Sequence, residues 1–275
     1  MSSDALRLLI LGAHPDDCEY HAGGLAAIYR SAGHAVKMVS VTDGSAGHFA
    51  RSGADLAAQR RNEAQRAAAV IGAAAAVWDF PDGRLQPTLE LRERLIREIR
   101  SFRPDLVLTH RPCDYHPDHR AVGQGVQDAS YLVTVPPICP DVPHLRRDPI
   151  VAYLPDLFTR PTPLRGDIVI DVENQMATIV RMLAAHASQF FEWIPYNERR
   201  SDAVPAEPPA RLAWLHGWYS EKIARFAERF RVELATTYGA QRAPQIMHCE
   251  VFEISEYAAP LDDQARRRLF WFLPE

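Results

Sequence analysis

Short apolar runs alternate with helix-like segments through the first half of this chain, and this alternation limits the possible folds most strongly. Runs with the continuous apolar character of buried strands lie at 7–13, 35–41, 75–80 and 105–109. Segments with helical composition and spacing lie at 22–32, 55–71, 89–102 and 117–132. Since the connections are only a few residues long, parallel pairing is expected. We predict an α/β fold with a Rossmann-like, mostly parallel sheet and helices on both faces.

The second half of the chain is less regular. Strand-like runs lie at 150–157, 167–172 and 247–254. Helix-like segments lie at 173–187 and 211–238, and proline-rich loops lie at 136–149 and 195–209. Because no repeat or flexible linker is visible, we predict a single domain over 1–275. Its core would cover about 6–190, followed by a C-terminal elaboration of about 191–275.

Composition and charge exclude several classes of protein. Hydrophobic residues make up 47% of the chain, enough for a core, so intrinsic disorder is excluded. A net charge of −4 without a basic block argues against nucleic-acid binding. The longest apolar run, 67–78, is too short to span a membrane, and no secretory signal is visible. We expect a cytoplasmic enzyme with a small-molecule substrate, no nucleic-acid or membrane partner, and possible homo-oligomers.

Histidines and aspartates cluster at two places, whereas the four cysteines are scattered and form no structural zinc motif. The segment His14-Pro-Asp-Asp17 directly follows the first predicted strand, and the segment from Cys113 to His119 follows the fourth. Ligands of open parallel sheets bind outside the carboxyl ends of the strands. The two clusters are therefore expected to meet, provided that these strands are close in sheet order.

The spacing within the clusters is typical of a hydrolytic metal site. His14 and Asp17 lie three residues apart around a turn, and His116 and His119 lie three apart at a predicted helix start. Three protein ligands and an exchangeable water are the usual arrangement of catalytic zinc. A further carboxylate must then accept a proton, so the adjacent Asp16 and Asp17 can supply one ligand and one base.

Simpler interpretations exist for each motif alone, because proline, aspartate and histidine also form turns and helix caps. The occurrence of both motifs after strands favours chemistry. The chain lacks the GxSxG elbow of serine hydrolases and the GxGxxG glycines of dinucleotide sites. For His21 we favour an ordinary, partly exposed side chain. Core packing is favoured over a substrate mouth for the aromatic group Phe190, Phe191, Trp193 and Tyr196.

Several motifs together identify a family resemblance. The most specific are Gly12-Ala-His14-Pro-Asp-Asp17, Gly23-Gly24 and Asp114-x-His116-Pro-Asp-His119-Arg120. Shorter ones follow, namely Thr42-Asp-Gly44 with Gly47, Arg60-x-x-Glu63, Pro81-Asp82-Gly83 and His186-Ala-Ser-Gln189. In order and spacing they resemble the PIG-L/LmbE-like deacetylases, zinc-dependent enzymes that remove acetyl groups from N-acetylglucosaminyl compounds. The resemblance covers about 6–190.

The resemblance implies roles for the matching residues. The implied zinc ligands are His14, Asp17 and His119. Asp16 would be the general base. His116 would stabilise the oxyanion, and Asp118 would orient an imidazole. Arg60 and Asp82 would contact sugar hydroxyls.

The function implied by the resemblance is that of a zinc-dependent hydrolase acting on linear amide bonds. It would deacetylate an N-acetylated amino sugar or its conjugate and release acetate and a free amine. Zn²⁺ would be the cofactor, although Fe²⁺ or Co²⁺ also suits nitrogen and carboxylate ligands. One alternative is an amidase for another amide, such as a thiol-sugar conjugate or a secondary metabolite. The other is a non-catalytic metal- or sugar-binding protein of the same fold.

Overall fold

The sheet expected from the alternating pattern forms in the computed structural model, which describes residues 5–274. Its strands are β1 (Arg7–Gly12), β2 (Ala35–Thr42), β3 (Ala74–Phe80), β4 (Leu106–Thr109), β5 (Ile150–Tyr153), β6 (Ile168–Asp171) and β7 (Cys249–Ile254). Their order over the described residues is β3-β2-β1-β4-β5-β7-β6. Strands β1 to β5 pair in parallel, whereas β7 runs antiparallel to β5 and β6. The predicted α/β class with a mostly parallel sheet is confirmed.

Helices cover both faces of the sheet. In chain order they are α1 (Asp17–Ser31), α2 (Gly53–Ala69), α3 (Leu89–Phe102), α4 (Pro117–Ala129), α5 (Met176–Ala185), α6 (Ile194–Asn197), α7 (Pro208–Arg229), α8 (Arg231–Arg242) and α9 (Asp263–Leu269). Leu8 and Ile10 of β1 pack into the apolar cluster that includes α1, α5 and α7. Leu9 and Leu11 pack into the opposite cluster, with α3 and α4. This burial on both faces explains why the run in β1 is continuously apolar.

The order of the strands places the two motifs side by side. β1 and β4 are hydrogen-bonded neighbours, with Leu11 opposite Thr109. From β1 the chain crosses to β2 on one side, and from β4 it crosses to β5 on the other. A crevice therefore opens between the carboxyl ends of β1 and β4, at the point where such sheets bind ligands. The proximity that the sequence prediction required is present.

Helix α1 begins at Asp17, five residues before the predicted start at 22. Ala22 interrupts it with a non-helical backbone (φ −143°, ψ 20°). At this break the backbone N–H groups of Gly24 and Leu25 donate to the buried carboxyl of Glu250 in β7, at 2.6 and 2.9 Å. Glu250 therefore caps the second part of α1, which is the part that the sequence pattern indicates.

The last third of the chain departs most from the prediction. The single helix expected at 211–238 is divided into α7 and α8, because Phe230 leaves helical geometry (φ −106°, ψ 34°) and its ring is buried in a third apolar cluster. Helix α9 and the π-helical turn Ser188–Trp193 were not predicted. Strand β7 enters the sheet between β5 and β6, so the C-terminal elaboration forms part of the sheet.

Within 5–274, no helix combines the length and the apolar character needed to cross a bilayer. Residues 1–4, on which the expectation of no secretory signal partly rests, lie outside the described part of the chain.

Candidate active site

Close packing shapes the turn after β1. A Cβ atom on Gly12 would lie 2.7 Å from the Cβ of Asp17, so a side chain at position 12 would clash with the start of α1. Asp16 has φ 125°, a conformation that residues other than glycine rarely adopt. Backbone strain of this kind persists only where the surroundings enforce it, and it is common at functional sites. The turn thereby brings His14, Asp16 and Asp17 to one edge of the crevice.

Three side-chain atoms from the two motifs converge in this crevice. Nδ1 of His14 and Nε2 of His119 each lie 3.5 Å from Oδ2 of Asp17, and 3.3 Å from each other. Tetrahedral zinc with bonds of ~2.0–2.1 Å holds its ligand atoms about 3.3 Å apart. The spacing of these three atoms therefore fits a single zinc ion, and the donor set of two imidazoles and a carboxylate suits it chemically.

Each of these imidazoles has a carboxylate beside its second nitrogen. Nε2 of His14 lies 3.2 Å from Oδ1 of Asp82 and 3.3 Å from Oδ2 of Asp118. Nδ1 of His119 lies 3.1 Å from Oδ1 of Asp114. Such outer carboxylates fix the orientation of a metal-binding imidazole and make it more basic.

The electrostatics of the crevice favour a cation. Burial alone would lower the pKa of His14, but hydrogen bonds to Asp118, Asp17 and Asp82 raise this pKa well above its usual value. Burial opposes ionisation of Asp17, yet His119 and His110 lower its pKa well below the usual range. The aspartates around His14 make the electrostatic potential of the crevice negative, and a bound metal ion could replace the proton on His14.

Asp16 lies against a buried arginine. Burial raises the pKa of Asp16 to about 6, although the charge of Arg60 opposes this rise. The guanidinium Nη2 of Arg60 lies 3.3 Å from Oδ2 of Asp16 and donates to the carbonyl of Pro15 at 2.6 Å. Its Nη1 donates to the carbonyl of Gly44 at 3.3 Å. A carboxyl whose pKa lies near neutrality, held in one orientation, is suited to accept a proton.

His116 caps the N-terminus of α4. Its Nδ1 accepts a hydrogen bond from the backbone N–H of Asp118 at 3.2 Å. Burial and the charges of His14 and His119 lower the pKa of His116, which favours the neutral ring. In the neutral ring the proton then resides on Nε2, since Nδ1 is an acceptor. The centroid of the His116 ring lies 4.6 Å from that of His14, so this donor lies beside the three converging side-chain atoms.

Two residues of the site had no role in the sequence analysis. Nε2 of His110 lies 3.1 Å from Oδ2 of Asp17, and its ring stacks on His119 with centroids 3.8 Å apart. Asp114 contacts His119 as described above. His110 could have been predicted as a site residue from the sequence, because it directly follows β4. His21 lines the same cleft, and burial lowers its pKa to about 4.

The late motif that begins at His186 connects the site to α2. The N–H and the hydroxyl of Ser188 both donate to the carboxylate of Glu63, at 3.1 and 2.6 Å. The side-chain amide of Gln189 donates to the carbonyl of Gly47 at 2.9 Å. These bonds hold the helix and the glycine-rich loop that surround Arg60.

The converging residues open into a cleft of about 630 Å³. The sequence-predicted site residues that line it are His14, Asp16, Asp17, Arg60, Asp82, His116 and His119. Asp118 is fully buried behind this wall. From the aromatic group after 186, Phe190 and Trp193 line the cleft, whereas Phe191 and Tyr196 do not.

The sequence of this chain matches a family profile and a related protein. A profile of the family described as PIG-L, GlcNAc-PI de-N-acetylase, matches residues 9–130. The diacetylchitobiose deacetylase of Thermococcus kodakarensis is 30% identical over 210 residues, which cover 70% of this chain and 76% of that protein.

Two solved structures show the same fold. The N,N'-diacetylchitobiose deacetylase from Pyrococcus horikoshii superposes with a TM-score of 0.70 at 21% identity, over 92% of this chain and 85% of that one. The 4-carboxy-2-hydroxymuconate hydratase from Pseudomonas putida superposes with a TM-score of 0.72 at 21% identity, over 94% and 99% of the two chains. Both sequence motifs lie within the matched profile, and the archaeal relative is covered over three quarters of its length. The chain therefore belongs to the LmbE-like PIG-L family.

Proposed function

We propose that this protein is a zinc-dependent deacetylase that removes the acetyl group from an N-acetylated amino sugar or a conjugate of one. The observation that carries the proposal is the spacing of three donor atoms at 3.3–3.5 Å beside the carboxyl of Asp16. The two relatives named as diacetylchitobiose deacetylases support the choice of substrate class.

In this proposal His14, Asp17 and His119 hold the ion. When bound, a divalent ion polarises the acetyl carbonyl and lowers the pKa of water. Asp16 takes the proton of the attacking water and later returns it to the departing amine nitrogen. The Nε2–H of His116 donates to the carbonyl oxygen as negative charge develops on it. The products are acetate and a free amine.

Asp82 and Arg60 act in this scheme mainly by positioning other groups. Asp82 contacts His14, and the hydrogen bond to His14 together with other contacts lowers the pKa of Asp82 to about 2 despite burial. Arg60 is 2% exposed, and its guanidinium contacts Asp16. Contact of either residue with sugar hydroxyls stays a prediction.

The test is acetate release from N-acetylglucosamine and diacetylchitobiose. Release is expected with Zn²⁺, Fe²⁺ or Co²⁺ present, none after chelation, and recovery when the ion is returned. The free amine should appear in equal amount. If none of the three ions supports acetate release, the proposal is contradicted.

The same assay, carried out with other substrates, distinguishes the alternative functions. Release of an amine from thiol-sugar or secondary-metabolite amides, without activity on acetylated sugars, would indicate a different amidase. Because a hydratase shares the fold, water addition to an unsaturated polycarboxylate is tested in parallel. Metal binding without turnover of any substrate would indicate a binding protein. The cytoplasmic location and a homo-oligomeric state also stay predictions.

A further inference from the structure

A second, much smaller cavity lies next to the cleft. Its volume is about 10 Å³, whereas that of the cleft is about 630 Å³. A void of about 10 Å³ is close to the smallest that can hold one water molecule. Ile223 of α7 and Glu250 of β7 line this cavity but not the cleft. Five residues line both spaces and so form the partition between them, namely Tyr20, His21, Pro155, Lys222 and Phe226.

His21 is the member of this partition that lies beside the proposed metal ligands. It follows Asp17 by one turn of α1, a spacing that places the two side chains on one side of the helix. Its ring centroid lies 6.0 Å from that of His110, whose Nε2 is 3.1 Å from Oδ2 of Asp17. The neighbouring ring of Tyr20, in contrast, packs against that of Tyr219 in α7, with centroids 5.5 Å apart.

The proposed reaction gives each substituent of the acyl carbon a direction. The departing nitrogen lies toward Asp16, and the carbonyl oxygen lies toward His116, so the methyl group takes the third direction. His21 lies on neither of the first two sides, because its ring adjoins that of His110, whereas Asp16 contacts Arg60. The partition at His21 is therefore the wall that this methyl group is expected to meet.

We propose that His21 closes the acyl pocket of this site and thereby determines which N-acyl groups are removed. Its ring stands between the methyl group of an acetyl substrate and the second cavity, so a longer chain collides with it. This inference rests on the proposed function and narrows it. The substrate class becomes amino sugars that carry an acetyl group, to the exclusion of those that carry a butyryl or longer chain.

Alkyl hydroxamates test the pocket without catalysis, because they bind zinc through their oxygens and carry the alkyl chain in the position of the acyl group. Acetohydroxamate and butyrohydroxamate are titrated into the zinc-loaded protein by calorimetry. An open pocket would bury two further methylenes of the longer probe and tighten its binding about tenfold. The wild type, whose pocket is closed, should bind butyrohydroxamate no more tightly than acetohydroxamate. This comparison needs no variant.

His21→Ala should reverse the order and bind butyrohydroxamate about tenfold more tightly, because the cleft and the second cavity become continuous. Within residues 5–274 the His21 ring makes no hydrogen bond, so the change leaves no partner unpaired. His21→Phe keeps a ring at the partition and should keep the wild-type order. The matched control is His144→Ala, which removes a half-buried histidine that lines neither space and should change nothing.

Ile223 allows the second cavity to be enlarged from its far side. Ile223→Ala alone leaves the partition in place, so acetohydroxamate should stay at least as good a ligand as butyrohydroxamate. In the double variant with His21→Ala, hexanohydroxamate should bind about tenfold more tightly than butyrohydroxamate. This dependence of one substitution on the other is expected only if His21 separates the two spaces.

The catalytic readout is the ratio of kcat/KM for N-butyrylglucosamine to that for N-acetylglucosamine. This ratio should rise about tenfold or more in His21→Ala, whereas a general loss of stability would lower both values together. Tighter binding of butyrohydroxamate by the wild type, an unchanged order in His21→Ala, or no binding of either hydroxamate would each overturn the closed pocket.

Acetate release by the wild type is scored separately. A chain-length preference that depends on His21, without acetate release, would contradict the proposed function and leave the closed pocket standing. Acetate release without such a preference would do the reverse.

Discussion

Asp118 illustrates, at the scale of single residues, how a side chain outside the cleft takes part in the site. It is fully buried, contacts Nε2 of His14, and accepts hydrogen bonds from the backbone N–H groups of Gly83 and Leu85 at 2.7 and 3.1 Å. The loop after β3 is thereby tied to the imidazole of His14. Precise placement of His14 depends on this loop as much as on the turn after β1.

Asp16→Asn should retain the metal and lose most activity, because the amide cannot accept a proton. We expect kcat to fall by about 10²–10⁴. His119→Ala should lose metal and activity together, since it removes one of three donors. Metal content measured on both purified variants beside acetate release makes the distinction, and equal metal loss in the two would reverse the assignment of base and ligand.

Arg60→Lys separates positioning from substrate contact. The lysine keeps the charge but cannot contact the Pro15 carbonyl and the Asp16 carboxyl with one planar group. If Arg60 acts through Asp16, kcat should fall about tenfold or more while KM stays within about twofold. A rise in KM with unchanged kcat would instead support the sugar contact predicted from the sequence.

At the scale of elements, Arg100 of α3 organises the proline-rich connection that follows α4. It is 1% exposed, and its guanidinium donates to six backbone carbonyls, those of Leu132, Val133, Val135, Ile138, Cys139 and Val142. The sequence indicated an irregular segment at 136–149. Arg100, which has no acidic partner within the described residues, holds the carbonyls of 132–142 and so contributes to the order of this connection.

Arg100→Met should lower the free energy of unfolding by about 3 kcal/mol or more, because it leaves buried carbonyls without donors. None of those carbonyls belongs to the wall of the cleft, so the folded fraction should keep its kcat/KM. Arg97→Met, a half-exposed arginine of the same helix, serves as the control and should cost less than about 1 kcal/mol. Urea unfolding of both variants provides the measurement, and equal effects would contradict the role of Arg100.

Glu250 makes the stability of the junction between β7 and α1 depend on pH. Burial raises the pKa of Glu250 to about 7 from its usual value of 4.5. Between these values the folded protein keeps a proton that the unfolded chain releases. The contribution of this group to stability is therefore complete below pH 4.5 and is lost as the pH rises through 7.

The comparison with Glu250→Gln isolates this effect, because glutamine does not titrate. Relative to the variant, the wild type should lose free energy of unfolding on the order of 3 kcal/mol between pH 4.5 and 7. Urea unfolding at a series of pH values provides the measurement. A constant difference between the two proteins over that range would show that the cap does not titrate.

For the whole molecule, the proposed metal ligands lie at the carboxyl edge of the sheet. His14 and Asp17 follow β1 at the start of α1, and His119 lies in the first turn of α4, whereas apolar side chains of the strands and helices form the three clusters that hold the fold together. Chelation should therefore abolish acetate release and leave the far-UV circular dichroism and cooperative unfolding intact. Returned zinc should restore activity and raise Tm. Loss of secondary structure on chelation would contradict this separation of fold and site.

Much of this arrangement could be predicted from local patterns. Apolar periodicity located β1 to β4 and the bounds of α3 to the residue, because burial on two faces and an amphipathic surface leave their pattern in the adjacent sequence. The clusters around His14 and His119 were visible because the residues of each cluster are adjacent in the chain. The break at Phe230 was not, since no glycine or proline marks it and its cause is burial of the ring in a cluster assembled from distant segments.

The amino-acid pattern alone established the class of fold, the family motifs and the kinds of side chain available for chemistry. The packing of the chain in three dimensions established that β1 and β4 are neighbours and that Asp114 and His110 contact the proposed ligands. The reason is physical: periodicity records how each segment meets its immediate surroundings, whereas sheet order and charge pairing depend on which distant segments pack together.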